Sequence, residues 1–391
     1  MKTRLMVIVC DRWSTILKKG EVVDRYFNPG EVFDDVHLVL TNDDRPDPAS
    51  MQRLVGSARL HLHNLPAGPR LFAVSLGWRP WLLGHWADRA VALAQQVRPD
   101  LIRCHGAHLN AFAAARIKAR LHVPYVVSLH INPDEDVRGR AHTVSDRLAA
   151  HAQRRLEAIG LRAADRVLAV YRPIVSYLER LGIEHYEVFY NVLNPAHLER
   201  KRDYSLHDPV RIISVGRQMA AKDPSALIRA VASLPGTALT LVGDGPYHDR
   251  LRTVAAEAGA ADRVRFLPSL PNDELCRLLP KQDIFATHSE YWEIAKAVLE
   301  PLLTGLPVVL NRRLGAPVPE LTDELCVLVE NTPEGYRGAL ERLMTDHAFR
   351  AGLGRNAYDH ARRQWAPELT EARYADLYRQ LLAEHRPGVG A

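Results

Sequence analysis

Short apolar runs alternate along the chain with stretches whose apolar positions recur every three or four residues. The runs at 5–10, 35–41, 59–65, 99–106, 123–130, 164–170 and 186–191 predict buried strands. Amphipathic patterns at 87–97, 111–121, 145–162 and 173–181 predict the helices between them. Strand followed by helix, repeated, predicts a parallel sheet covered on both faces. The pattern breaks at 194–209, a polar stretch with two prolines, Pro195 and Pro209, and no sustained period, which reads as a linker. It then restarts, with strands expected at 210–216, 238–245, 264–269, 284–289 and 307–311. Helices are expected at 225–234, 248–258, 272–279 and 295–304, and a last helix near 368–385. The expectation is two open α/β halves in tandem. In such sheets ligands bind beyond the carboxyl ends of the strands.

Composition narrows this picture without redirecting it. A chain of 391 residues is too long for one ordinary core, so two domains are expected. Apolar residues at 47% and charged residues at 25% exclude a disordered or low-complexity chain. The four cysteines, Cys10, Cys104, Cys276 and Cys326, are far apart and form no CxxC pair. That argues against a disulfide framework or zinc site and fits a reducing cytosol. No run approaches the roughly 18 apolar residues of a membrane-spanning helix, and 5–10 is too short for a signal-peptide core. A cytoplasmic protein is expected. The net charge of +5 is uneven: residues 1–195 carry 26 basic and 20 acidic side chains, the remainder 25 and 26. The basic half is expected to be a solvated surface, or one that meets an anionic acceptor or the inner face of a membrane. No basic block is interleaved with aromatics, so no nucleic-acid partner is expected.

Candidate chemistry collects at strand ends. After the first strand of the second half comes GRQMAAKDP, where Gly216 allows a sharp turn and Arg217 and Lys222 follow. Two cations at a strand end beside a helix start suit an anion. A second tight turn, LVGDGP at 241–246, follows the next strand. Later comes HSEYWEIAKAVLEPLLTGLPVV at 288–309, with Glu290, Glu293 and Glu300. Glu300 lies among leucines, and burying a carboxylate is costly unless something pairs with it. In the first half, RCHGAHLN sets His105 at a strand tip with His108 close behind, and His130 ends another strand. The acids at 43–47 sit in a proline-rich loop and are not expected to bind a metal. No Ser–His–acid spacing stands out.

In order and spacing, SVGR with its following lysine, LVGDGP, VRFLPSLPNDEL and VLEPLLTGLPVV resemble the C-terminal half of retaining glycosyltransferases of the GT4 family, whose fold is GT-B. The likeness covers 210 to about 344. The resemblance implies two Rossmann-like domains with parallel sheets facing a central cleft: an acceptor-binding domain at 1–193, a linker at 194–209, a nucleotide-sugar-binding domain at 210–366, and a C-terminal helix at 367–391 crossing back to the first domain. It implies transfer of a sugar, with retention, from a nucleotide sugar to an acceptor hydroxyl on a glycan, lipid-linked saccharide or small natural product. Arg217 and Lys222 would neutralise the donor diphosphate, with Gly216 at the turn, and Glu300 would take the ribose hydroxyls. His105 would stand near the reacting sugar. The family places a second acid eight residues before the ribose glutamate, but here that position is Trp292 and Glu293 is seven before. Either Glu293 takes the sugar-binding role or Trp292 packs on the sugar. Glu290 is a third candidate. Ile294, Ala295 and Lys296 replace the family's small-residue turn, whose amides would face the diphosphate. The family's glycine pair after the first strand is reduced to Gly20. Trp13, Tyr26 and Phe27 in that loop suit either a sugar face or the core. No metal and no cofactor are implied, only the nucleoside diphosphate sugar, with its base unspecified. A sugar-nucleotide isomerase or phosphorylase of the same fold, or a degenerate sugar-nucleotide-binding protein, are the alternatives.

Overall fold

The computed structural model describes every residue except 1, 19, 21, 69–70, 72–82, 139–142, 292, 316 and 386–391. The chain forms two compact units. The first takes the described residues of 1–18, 22–192 and 368–391; the second takes 193–367 together with the segment around Gly20.

The first unit is built on a parallel sheet of seven strands: β1 (Arg4–Val9), β2 (Asp35–Leu40), β3 (Arg59–Asn64), β4 (Leu101–His105), β5 (Tyr125–Leu129), β6 (Arg166–Ala169) and β7 (Tyr186–Val188). Their order is β3-β2-β1-β4-β5-β6-β7. β1, β4 and β5 are buried almost throughout, as strands covered on both faces must be. The order reverses direction between β1 and β4, so the turns after these two strands splay apart and leave a crevice. The helix Pro367–Glu384 completes this unit from Glu368 onward. Its Tyr374 and Tyr378 are buried against Phe189 and Phe33, with ring centroids 4.7 and 5.6 Å apart. Tyr374 also covers the guanidinium of Arg103 at 4.7 Å, while Tyr26 covers it at 5.2 Å. Arg103 is buried and donates to the Tyr26 carbonyl at 2.9 Å. The charge is thus held by two aromatic faces and a carbonyl.

The second unit repeats the plan with six parallel strands: β8 (Val210–Val215), β9 (Thr237–Val242), β10 (Val264–Leu267), β11 (Ile284–Thr287), β12 (Val308–Asn311) and β13 (Val327–Val329), in the order β10-β9-β8-β11-β12-β13. Its crevice lies between β8 and β11. β13 was not expected from the sequence: it has only three residues, at the sheet edge beside β12. The stretch 194–209 packs within this unit. The Lys201 amide donates to the Thr304 carbonyl at 2.8 Å, the Tyr204 hydroxyl to the Gly305 carbonyl at 2.9 Å, and His207 Nδ1 pairs with Asp283 at 2.9 Å.

Candidate active site

In the second unit the turns after β8 and β11, at its crevice, carry the residues singled out above. Gly216 leaves β8 with its amide bonded to the Val242 carbonyl at 3.0 Å. Beside it, Gly243 follows β9 at φ +134, where a Cβ would stand 2.1 Å from the Gly216 carbonyl oxygen. Two backbones this close admit only glycine there. Buried Gln218 ties the two turns together, donating to the Gly243 carbonyl at 2.7 Å and meeting His248 Nδ1 at 2.9 Å. On this frame Arg217 is exposed and makes no ion pair among the described residues. Lys222, at the end of a short turn Ala220–Lys222, sets its Nζ 2.9 Å from Oε1 of Glu293 and 5.2 Å from the Tyr291 ring.

The turn after β11 is anchored at several points. The Ser289 amide donates to Asn311 Oδ1 at 2.9 Å, and Asn311 Nδ2 donates back to the Ser289 carbonyl at 3.0 Å. Arg313 Nε donates to the Tyr291 carbonyl at 2.7 Å. Glu290 has an exposed side chain, and its amide donates to the Ala221 carbonyl at 2.8 Å, joining this turn to the Lys222 turn. Glu293 is half-buried and precedes the helix Lys296–Thr304, one residue shorter at its start than the 295–304 expected. Ala295 is extended and serves as its cap residue, and Ile294 is fully buried. Lys296 and its neighbours open the helix, where backbone N–H groups lack helical partners. Glu300 is buried on the inner face of this helix, and its Oε1 accepts from Asn272 Nδ2 at 2.8 Å. That bond offsets part of the cost of burying a carboxylate. Trp292, the alternative to Glu293, lies outside the described residues. Gly20, at φ +64, sits where a Cβ would be 3.3 Å from the Asn272 amide nitrogen.

In the first unit His105 ends β4 at the crevice between β1 and β4. It is buried, stacked on His130 at 5.1 Å and 20°, with Tyr26 and Phe27 edge-on at 5.5 Å. Phe27 and Trp13 belong to the core, which removes them as a sugar platform; their 5.1 Å contact shows that they fill the interior. His108 stands just before the next helix without a side-chain capping bond, and its Nε2 lies 2.9 Å from Oε1 of Glu157, a fully buried carboxylate that also accepts from the Tyr177 hydroxyl. Glu157 had no signal in the sequence, because it sits in a helix that reads as polar and solvated. Burial pushes its carboxyl above the ordinary range, while His108 and then the Tyr177 hydrogen bond pull it down. The acids at 43–47 are used structurally. Asp43 pairs with Arg12, Asp44 accepts from the Ser14 amide at 2.9 Å, and Asp47 caps Pro48–Met51.

The family model described as glycosyl transferases group 1 matches residues 198–360, and the one described as glycosyl transferase 4-like domain matches 33–191. The lipopolysaccharide core biosynthesis glycosyltransferase LpsE of Rhizobium meliloti is 32% identical over 184 residues, which are 47% of this chain and 52% of that protein. The chain thus spans about half the length of that curated relative. Among solved structures, sucrose-phosphate synthase of Thermosynechococcus elongatus matches with a TM-score of 0.75 at 18% identity, covering 98% of this chain and 100% of that one. HepE of Anabaena, solved in complex with UDP, matches with a TM-score of 0.71 at 16% identity, covering 97% and 100%. These likenesses establish the GT-B fold.

Proposed function

Because the chain belongs to the GT4-type glycosyltransferases, matched by family models along both of its halves, we propose that it transfers a sugar from a nucleoside diphosphate sugar to an acceptor hydroxyl with retention at the anomeric carbon. The observation that carries this is the convergence of Lys222, Glu293 and the turn of Arg217 at the crevice of the second sheet, with buried Glu300 on the adjoining helix. Arg217 and Lys222 stabilise the charge that grows on the leaving diphosphate. Glu293 contacts the transferred sugar, and Glu300 takes the ribose hydroxyls. Gly216, Ile294, Ala295 and Lys296 line the diphosphate with backbone and charge, and Gly20 does so from the loop after β1.

The bond from the anomeric carbon to the phosphate oxygen breaks as the acceptor oxygen attacks the same face. The hydroxyl proton passes to the departing phosphate oxygen. His105 is proposed as a hydrogen-bonding group for the reacting sugar. The reaction draws on no metal. The acceptor is a sugar-containing or lipid-linked hydroxyl compound, and the basic charge of residues 1–195 suits a lipid surface on the cytoplasmic side. No helix among the described residues is long and apolar enough to cross a membrane.

The test is a panel of UDP-, GDP- and ADP-sugars incubated with candidate acceptors, following nucleoside diphosphate release and the product anomer by proton NMR. Acceptor-dependent release with a retained anomer supports the proposal. An inverted product, or turnover of the sugar nucleotide to an isomer without release, overturns it.

A further inference from the structure

Glu300 does not stand alone in the interior of the second unit. Asn272, first residue of the helix Asn272–Leu278, offers Nδ2 to Glu300 Oε1 at 2.8 Å. The other end of the same amide, Oδ1, lies 2.9 Å from Nδ1 of His197. His197 ends the short turn Pro195–His197, and its Nε2 lies 3.3 Å from Nδ2 of Asn194. Asn194 in turn caps that turn, accepting from the Ala196 amide at 3.1 Å.

The chemistry of the carboxylate orders the whole chain of bonds. An ionised carboxylate only accepts, so Asn272 must turn its amide nitrogen toward Glu300. Its oxygen then faces His197, which must carry its proton on Nδ1. Nε2 is left to accept from Asn194. One arrangement satisfies these contacts together, and a change at His197 removes the group that holds the far end of the Asn272 amide. A polar chain in which each donor meets an acceptor helps to fix the orientation of its members.

We propose that Asn272 and His197 are positioning residues for Glu300, holding its carboxylate in the orientation that takes the ribose hydroxyls of the donor. This rests on the donor reading given above. It assigns a function to a segment, 194–209, whose sequence reads as a linker. The network makes recognition of the ribose depend on the chain between the two sheets.

The experiment measures binding of UDP, GDP and ADP by calorimetry and takes forward the tightest of the three with its 2′-deoxy counterpart. The wild type is expected to prefer the ribose form by roughly tenfold or more, the scale of one charge-assisted hydrogen bond. In Asn272→Ala that preference is expected to fall to about threefold or less, with affinity for the 2′-deoxy form little changed. His197→Phe is expected to do the same one link further away. His197→Asn, whose amide can donate where Nδ1 did, is expected to restore the preference. Thermal melts identify any variant that fails to fold, and the His197 pair then decides. A preference unchanged in folded Asn272→Ala or His197→Phe overturns the proposal, as does an equal loss for both nucleotide forms, which is what a merely structural role would produce. Failure of the donor reading looks different: the wild type binds none of the three diphosphates, or Glu300→Gln keeps the wild-type preference.

Discussion

Lys222 and Glu293 form an ion pair, Nζ to Oε1 at 2.9 Å, although 71 positions separate them in the chain. Their side chains are only 24% and 16% exposed, so this pair is shielded from the solvent that makes most surface pairs weak. A diphosphate that draws on the Lys222 ammonium therefore competes with Glu293 for it.

Replacing Glu293 by glutamine removes that competitor and the proposed sugar contact together. Use of the sugar donor should fall, while bare nucleoside diphosphate should bind as tightly as in the wild type or more tightly. Calorimetry with the diphosphate and steady-state rates with the donor check this. An equal loss for both ligands, or a larger loss in Glu290→Gln, would sink the assignment.

Arg217→Ala and Lys222→Ala should each lower turnover by roughly 10²–10³-fold, the scale for losing one preorganised charge stabiliser. Arg217 is exposed, so its removal should leave the melting temperature near wild type. Wild-type turnover in either variant would move the donor site elsewhere.

Gly243→Ala should destabilise the second unit by about 1–3 kcal/mol or more, because φ +134 is strained for alanine and its Cβ meets the Gly216 carbonyl oxygen. Donor affinity should fall with it, since the clash displaces the turn that carries Arg217. Denaturant titration gives the first quantity. A neutral result would mean that the two turns separate easily.

Glu157 sets a pH dependence in the first unit. Burial raises its folded-state pKa, so above the ordinary carboxylate range the native state holds a proton that the unfolded chain has released. Stability contributed by the protonated form is complete below that range and declines as pH rises toward the raised value. Charged or titratable groups near it are His108, Tyr177, Asp134 and Arg154. Glu157→Gln should remove the slope, so its melting temperature relative to wild type should climb between pH 4 and 7. Parallel melting curves across that interval would refute this.

The strands of both units were legible because each is a short apolar run with a turn behind it. The motif residues were legible because they stand at strand ends. What the chain concealed were partners brought together from afar. Nothing near Glu293 marks Lys222 as its counter-ion. Nothing in NPAH marks His197 as a neighbour of Asn272, because local polarity alone made 194–209 resemble a tether. Glu157 was hidden for the opposite reason: its helix is rich in arginine, and only packing against Tyr177 and His108 takes the carboxylate out of water. Trp13 and Phe27 could have stacked on a ligand or on each other, and it was their mutual contact that decided for the core.

The aromatic cover of Arg103 has a consequence for how the protein is made. Tyr26 is synthesised before Arg103, but Tyr374 and Tyr378 come only after the whole second unit has been synthesised. At about 5–20 residues per second that delay is on the order of 10–60 s. Throughout it one side of the guanidinium, and the faces of Phe33 and Phe189, stay open to water and to chaperones. Apart from the short segment around Gly20, the second unit is one continuous stretch and can begin to close during the wait. The usual order of birth is thus reversed: the half that begins first is finished last, and a released chain that stops at residue 367 would hold every residue of the second unit but lack the helix that finishes the first.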